Sequence, residues 1–153
     1  GRRVVGLAHV PMEAPADAVA CQQGPVPRAE LAEALADLRT VADLAAAAGE
    51  RGRVALDAYL PELLLARSPR VAARLDARVF APLRVAGRDD LARTLVLLAR
   101  HGFERGATAA ALPVHRNTLA QRIARIEQLT GLDLDDPADR GLAWLAVRGR
   151  ALA

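Results

Sequence analysis

The chain has 153 residues, 52% of them hydrophobic, enough to bury roughly 70% of the unfolded surface in one compact domain or in a small domain plus a fragment. Its single cysteine, Cys21, excludes an intramolecular disulfide framework and a cysteine-built metal site, and reads as a small buried hydrophobe in a reducing compartment. The 21 basic residues, all arginine, exceed the 18 acidic ones too narrowly to argue alone for a polyanionic partner, and with neither a bilayer-length apolar run nor a signal-peptide layout a soluble, cytoplasmic protein is expected.

In chain order, residues 3–10 (RVVGLAHV) read as a short strand, 11–16 as a loop and 17–22 (DAVACQ) as a second strand. GPVP then breaks the chain. Over 28–48 the apolar residues Leu31, Leu35, Leu38, Val41, Ala42 and Ala45 recur at helical spacing, with Gly49 as the stop. Residues 53–56 read as one more strand. Three short strands cannot cover a helix on both faces, so residues 1–56 are expected to be a partial α/β fragment. Gly1 enters directly into strand-like sequence, which suggests a piece cut from a longer protein.

From residue 57 the texture becomes helical, so the fold class is mainly α and 57–153 is expected to be a helical domain. DAYLPELLLAR (57–67) is one helix, with Pro61 tolerable in its first turn. SPRVAARLDARVFAPL (68–83) is a second, with Ser68 as N-cap, Pro69 at the first helical position and closure around Pro82. RDDLARTLVLLARHG (88–102) is a third, with Asp89 in the capping region and Gly102 as its C-terminal signal. A short helix over 107–112, a longer one over 116–130 stopped by Gly131, and a last one launched by Asp136 and Pro137 and running to 152 complete the chain.

The short helix and its successor carry the functional reading. Between Arg100 and Arg125 lie five arginines and one acid, Glu104, so positive charge concentrates there. Ala109 supplies a small residue where two helices would cross, Pro113 and Val114 a tight turn, and Leu119, Ile123 and Ile126 an apolar stripe that must face a core. This is the pattern of a helix-turn-helix. The opposite face, Asn117, Gln121, Ala124 and Gln128, is polar but uncharged, with Arg116 on one shoulder and Thr118, Arg122 and Arg125 on the other. In a DNA major groove amides read adenine edges, arginine reads guanine, a small side chain such as Ala120 meets a thymine methyl, and flanking arginines hold phosphates. His115, entering the helix, either caps it or touches DNA. On spacing alone, an αα-hairpin whose polar face is merely solvated remains the other reading.

The segments LLLARSP, APLRVAGRDDLARTLVLLARHG and AAALPVHRNTLAQRIARIEQLTGLDLDDPADRGLAWLAV resemble the C-terminal DNA-binding domain of the PucR family of bacterial transcription regulators, to which CdaR-type proteins belong. Thr94, Leu95, Ala110, Leu112, Val114, His115, Arg116, Asn117, Thr118, Leu119, Arg122, Ile126 and Gly131 fall on the family pattern, and VHRNTL is its specific part. The resemblance runs from about Tyr59 to the end. It implies a sequence-specific transcription regulator with double-stranded DNA as partner, a recognition helix over about 116–129, and contacts from His115, Arg116, Asn117, Thr118, Ala120, Gln121, Arg122 and Arg125. An effector would act through a missing N-terminal sensor region. The first 56 residues resemble, more loosely, the end of a GGDEF-like domain, without the Gly-Gly-Asp-Glu-Phe sequence itself. The family usually has an aromatic where this chain has Gln121 and often a basic residue at Ala120, and Pro113 is less usual; by restricting Leu112, that proline should sharpen the break.

Catalytic readings fail on inventory. His9, His101 and His115 are far apart and no pair has metal-ligand spacing; His101 suits a helix C-terminus and His9 a structural or solvated role. Asp133, Asp135, Asp136 and Asp139 lack the glycine and terminal glutamate of a calcium loop, and capping by Asp136 is the simpler role. No enzyme activity, cofactor, metal or membrane contact is expected. One short helix reaches few base pairs, so a homodimer on two half-sites is expected, through the last helix (Leu142, Trp144, Leu145, Val147) or the helix over 28–48. The alternative is a protein-interaction or signal-relay helical module without direct DNA contact.

Overall fold

The computed structural model describes residues 18–85 and 87–152. The strand expected over 3–10, with His9, and the loop over 11–16 lie outside them. The chain divides into two compact units, one ending at Leu64 and the other beginning at Leu65.

In the first unit, β1 (Val19–Gln22) pairs in parallel with β2 (Gly52–Ala55), Val19 opposite Gly52 and Gln22 opposite Ala55. A parallel pair needs a crossover, and α1 (Leu31–Ala47) supplies it after a 3-10 turn over Arg28–Glu30. Val41, Ala45, Val54, Tyr59 and Leu63 form the core, with Val19, Cys21, Leu44 and Leu56 packed against it. Of the six apolar residues expected to line α1, only Val41 and Ala45 are buried; Ala34 joins them, while Leu31, Leu35 and Leu38 are half-buried. Cys21 is half-buried and its surroundings push the thiol pKa up, so the neutral form is favoured. The Tyr59 hydroxyl donates to Glu50 Oε1 at 2.6 Å. The helix expected over 57–67 opens as a 3-10 turn, Leu56–Tyr59, before α2 (Leu60–Arg67).

The second unit is all helical: α3 (Pro69–Val85), α4 (Asp89–Arg100), α5 (Arg105–Ala111), α6 (Arg116–Thr130) and α7 (Pro137–Gly149), followed by a 3-10 turn. One core gathers Phe80 and Leu83 from α3, Leu91, Leu95 and Leu98 from α4, Leu119, Ile123 and Ile126 from α6, and Ala143 and Ala146 from α7. Leu132 and Leu134, between α6 and α7, close it.

Several expected boundaries shift; the last helix, for one, ends at Gly149 instead of 152. α3 does not close around Pro82 but continues to Val85 with the proline inside it. A missing N–H removes one helical hydrogen bond, and the next residue, Leu83, is fully buried in the core. The short helix begins at Arg105 instead of 107, because Glu104 serves as its N-cap and its carboxylate accepts the Gly106 N–H at 3.3 Å. The capping expected of Asp136 is present: its Oδ2 accepts the N–H of Ala138 at 2.9 Å and of Asp139 at 3.0 Å. Two such bonds at a helix start contribute on the order of 1 kcal/mol.

α4 ends in a Schellman arrangement. Phe103 N–H donates to Leu98 O at 2.8 Å and Gly102 N–H to Ala99 O at 3.2 Å, with Gly102 at φ 61°. The geometry turns the half-buried Phe103 ring onto the core and sends the chain toward α5. His101, the expected dipole partner, sits at the C-cap and is exposed.

Candidate nucleic-acid interface

α5 and α6 are joined by residues 112–115 and pack against one another and against α4. Ala109, the expected crossing residue, is half-buried against the core; Thr108 beside it is fully buried. A threonine can occupy that crossing because its hydroxyl donates to Glu104 O at 2.7 Å and so is not orphaned. Leu112 does not become extended ahead of Pro113. It stays in the bridge region at φ −94° and ψ 2°, its side chain buried and its N–H on Thr108 O at 3.1 Å. Val114 N–H reaches back to Ala109 O at 3.4 Å.

His115 is the N-cap of α6, and its Nδ1 accepts the Asn117 N–H at 3.2 Å. An acceptor at Nδ1 is an unprotonated nitrogen, so a neutral capping ring carries its proton on Nε2. At the other end Gly131, at φ 65°, donates to Glu127 O at 2.7 Å and closes the helix. From α3, the Arg78 guanidinium donates to the Thr130 carbonyl. The following loop is tied back to its neighbours: Leu134 N–H donates to Glu127 Oε1 at 2.9 Å, and Arg105 and Arg140 donate to Asp135 Oδ1 at 2.7 and 3.2 Å. Both helices of the motif are therefore held at their outer ends.

Leu119, Ile123, Ile126 and Thr130 are the buried residues of α6. His115, Arg116, Asn117, Thr118, Ala120, Gln121 and Arg125 are exposed, as are Ala124 and Gln128. Seven of the eight residues singled out from sequence are thus exposed, Arg116 on one shoulder of the polar face of α6 and Thr118 and Arg125 on the other. Arg125 donates to Gln128 Oε1, and neither it nor Arg116 has an acidic partner among the described residues.

Arg122 is placed differently. Its side chain is 25% exposed and turns onto α4, where Nη1 donates to Thr94 Oγ1 at 3.3 Å and Nε lies 3.6 Å from Asp90 Oδ2. The same carboxylate accepts from Arg88 Nε at 3.0 Å. Asp90 is held below the usual carboxylate range, chiefly by the Arg88 hydrogen bond, with the charges of Arg88 and Arg122 acting in the same direction against a smaller desolvation. Sequence reasoning missed Asp90 and used Thr94 only as part of a pattern. They lie 32 and 28 residues before Arg122, and no local spacing brings them to it.

A polar, arginine-flanked helix, locked through a short break to a smaller helix and backed by a third, is the arrangement of helix-turn-helix DNA-binding transcription regulators. Residues 91–149 match the PucR C-terminal helix-turn-helix domain. That match places a domain of the PucR C-terminal helix-turn-helix family in the helical unit. It is 41% identical over 93 residues to the carbohydrate diacid regulator of Escherichia coli (strain K12), covering 60% of this chain and 24% of that protein. It is 39% identical over 130 residues to the uncharacterized protein in the pkwA 5′ region of Thermomonospora curvata, covering 80% of this chain and 68% of that one. Against the transcriptional activator PmfR of Paenarthrobacter nicotinovorans it is 37% identical over 93 residues, 58% of this chain and 19% of the activator. No solved structure matches the chain. Among the described residues no cluster of histidine, cysteine or acid could hold a metal ion, and no helix is long and apolar enough to cross a membrane.

Proposed function

We propose that the chain is the DNA-binding end of a sequence-specific transcription regulator, acting in the cytoplasm and not an enzyme, which docks α6 over about 116–129 in a major groove. The observation that carries this reading is the division of α6. Its apolar stripe is buried, while an uncharged polar face lies open between Arg116 and Arg125, which no acid among the described residues neutralises. Asn117 and Gln121 suit adenine edges, Ala120 a thymine methyl, and Arg116 a guanine or a phosphate. Arg125 suits the backbone. His115 and Thr118 stand at the end of the helix that enters first.

Duplex binding measured against salt tests the proposal. Arg125→Ala is expected to weaken binding to all sequences alike and to flatten the plot of log affinity against log salt by about 0.9, the value of one phosphate contact. An unchanged slope removes Arg125 from the interface. Absence of salt-dependent duplex binding by the unaltered chain would favour a protein-interaction or signal-relay module instead.

The intact regulator is proposed to be a homodimer on an inverted-repeat operator, with half-sites one helical turn or a multiple apart, because one helix of this length reads few base pairs. Analytical ultracentrifugation of the full-length protein with operator should give two protomers per site. One protomer at saturation would sink the dimer. Residues 1–56 are proposed to close a preceding α/β domain of the GGDEF-like type. The parallel β1–α1–β2 unit supports this, since a two-stranded parallel sheet does not make a domain alone. The chain spans only 24% of the diacid regulator's length, and an effector is proposed to act through a sensor region in the remainder of such a longer protein.

A further inference from the structure

We propose that Asp90 is a specificity-determining residue: from the first turn of α4 it holds Arg88 and Arg122 in ion pairs within the protein, which withholds two cations from the DNA backbone and fixes the rotation of α6. The inference rests on the DNA-binding reading above.

Its basis is an asymmetry between two arginines that sequence treats alike. Arg122 and Arg125 lie on the same shoulder of α6, three residues apart. Arg125 is exposed and, among the described residues, bonds to a neutral amide of its own helix and to no acid. Arg122 instead crosses to α4 and meets two groups one turn apart, the Asp90 carboxylate at 3.6 Å and the Thr94 hydroxyl at 3.3 Å. Thr94 is fully buried and its own proton goes to Asp90 O at 2.7 Å, so its oxygen is oriented to accept. A guanidinium fixed at two points beside the buried stripe resists rotation of α6 about its axis. Arg88, before α4, pairs with the same carboxylate at 3.0 and 3.4 Å.

The consequence for recognition is electrostatic. Sequence-independent affinity grows with each arginine that neutralises a phosphate, and discrimination is the ratio of specific to nonspecific affinity. A carboxylate that occupies two arginines next to the recognition helix lowers the nonspecific term. The groove-facing residues Asn117 and Gln121, which carry base discrimination, are left untouched. Arg122 is thus a positioning residue and not a phosphate contact.

The test uses the full chain, a random-sequence duplex, and the tightest duplex that the unaltered protein selects from a randomised pool. Asp90→Asn keeps the shape and removes the charge. Freed arginines should steepen the salt slope on random duplex by about 0.9 to 1.8, one or two phosphate contacts, and lower the ratio of selected to random affinity about tenfold or more. Asp89→Asn makes the same charge change in the same turn, where Asp89 has no arginine partner among the described residues, and should leave the ratio unchanged. Arg122→Ala should leave the slope of the otherwise unaltered protein as it is while lowering selected-site affinity. The proposal is overturned if Asp90→Asn behaves as the unaltered chain, if Asp89→Asn reproduces its effect, or if Arg122→Ala flattens the slope by about 0.9. Failure of the unaltered chain to bind duplex at all would overturn the underlying reading, and shows itself before any variant is made.

Discussion

Leu119→Ala is expected to destabilise the helical unit by about 2 to 5 kcal/mol, while Asn117→Ala, two residues earlier on the same helix, should leave stability nearly unchanged and reduce specific DNA binding. Leu119 is 2% exposed in the core, alongside Ile123 and Ile126. Truncating it removes three carbons from a cluster whose other members are fixed by three further helices, so the space does not close by local collapse. Asn117 is exposed, and its backbone N–H is engaged in the His115 cap. Alanine preserves that N–H. Thermal melts paired with binding to selected and random duplex separate the two effects. Equal destabilisation by both would mean that α6 is rotated from the orientation described.

What sequence made legible here was whatever is encoded within a turn or two. α6 runs over Arg116–Thr130 as expected because three local signals agree: an apolar stripe of helical period, a capping side chain before it and a glycine after it. Asp136 was readable for the same reason. Pro82 misled because a proline's local cost is real but was outweighed by Leu83, whose burial depends on helices distant in sequence. Glu104 was missed as a cap because glutamate is not among the residues that usually serve there. The site divides likewise. Which side of α6 faces solvent follows from periodicity, whereas the inward turn of Arg122 depends on α4 presenting Asp90 and Thr94 across a helix crossing. Pattern gives the face a residue occupies; packing decides what it touches there.

The scaffold behind that crossing should be most sensitive at Phe80. Phe80→Ala is expected to cost about 3 to 5 kcal/mol, a large part of the 5 to 15 kcal/mol that holds a domain of this kind together. The ring is fully buried on α3, in the cluster that joins α4 and α6 to α7. α7 contributes only Ala143 and Ala146 to that cluster's buried set, and side chains so short cannot advance into the space a lost ring leaves. The Arg150 guanidinium, 4.3 Å from the ring centroid, loses its stacking surface at the same time, although its ion pair with Asp76 at 3.9 Å remains. Denaturant titration should show the midpoint fall with the slope unchanged, since the surface exposed on unfolding is nearly the same. Because Phe80 has no solvent-accessible atoms, it cannot touch DNA in the folded state. At a temperature where the variant is still folded, its salt slope and its preference for the selected duplex should therefore match those of the unaltered chain. A cost below about 1 kcal/mol would show that the ring is not the plug of this core, and an altered salt slope in the folded variant would place α3 in contact with the interface after all.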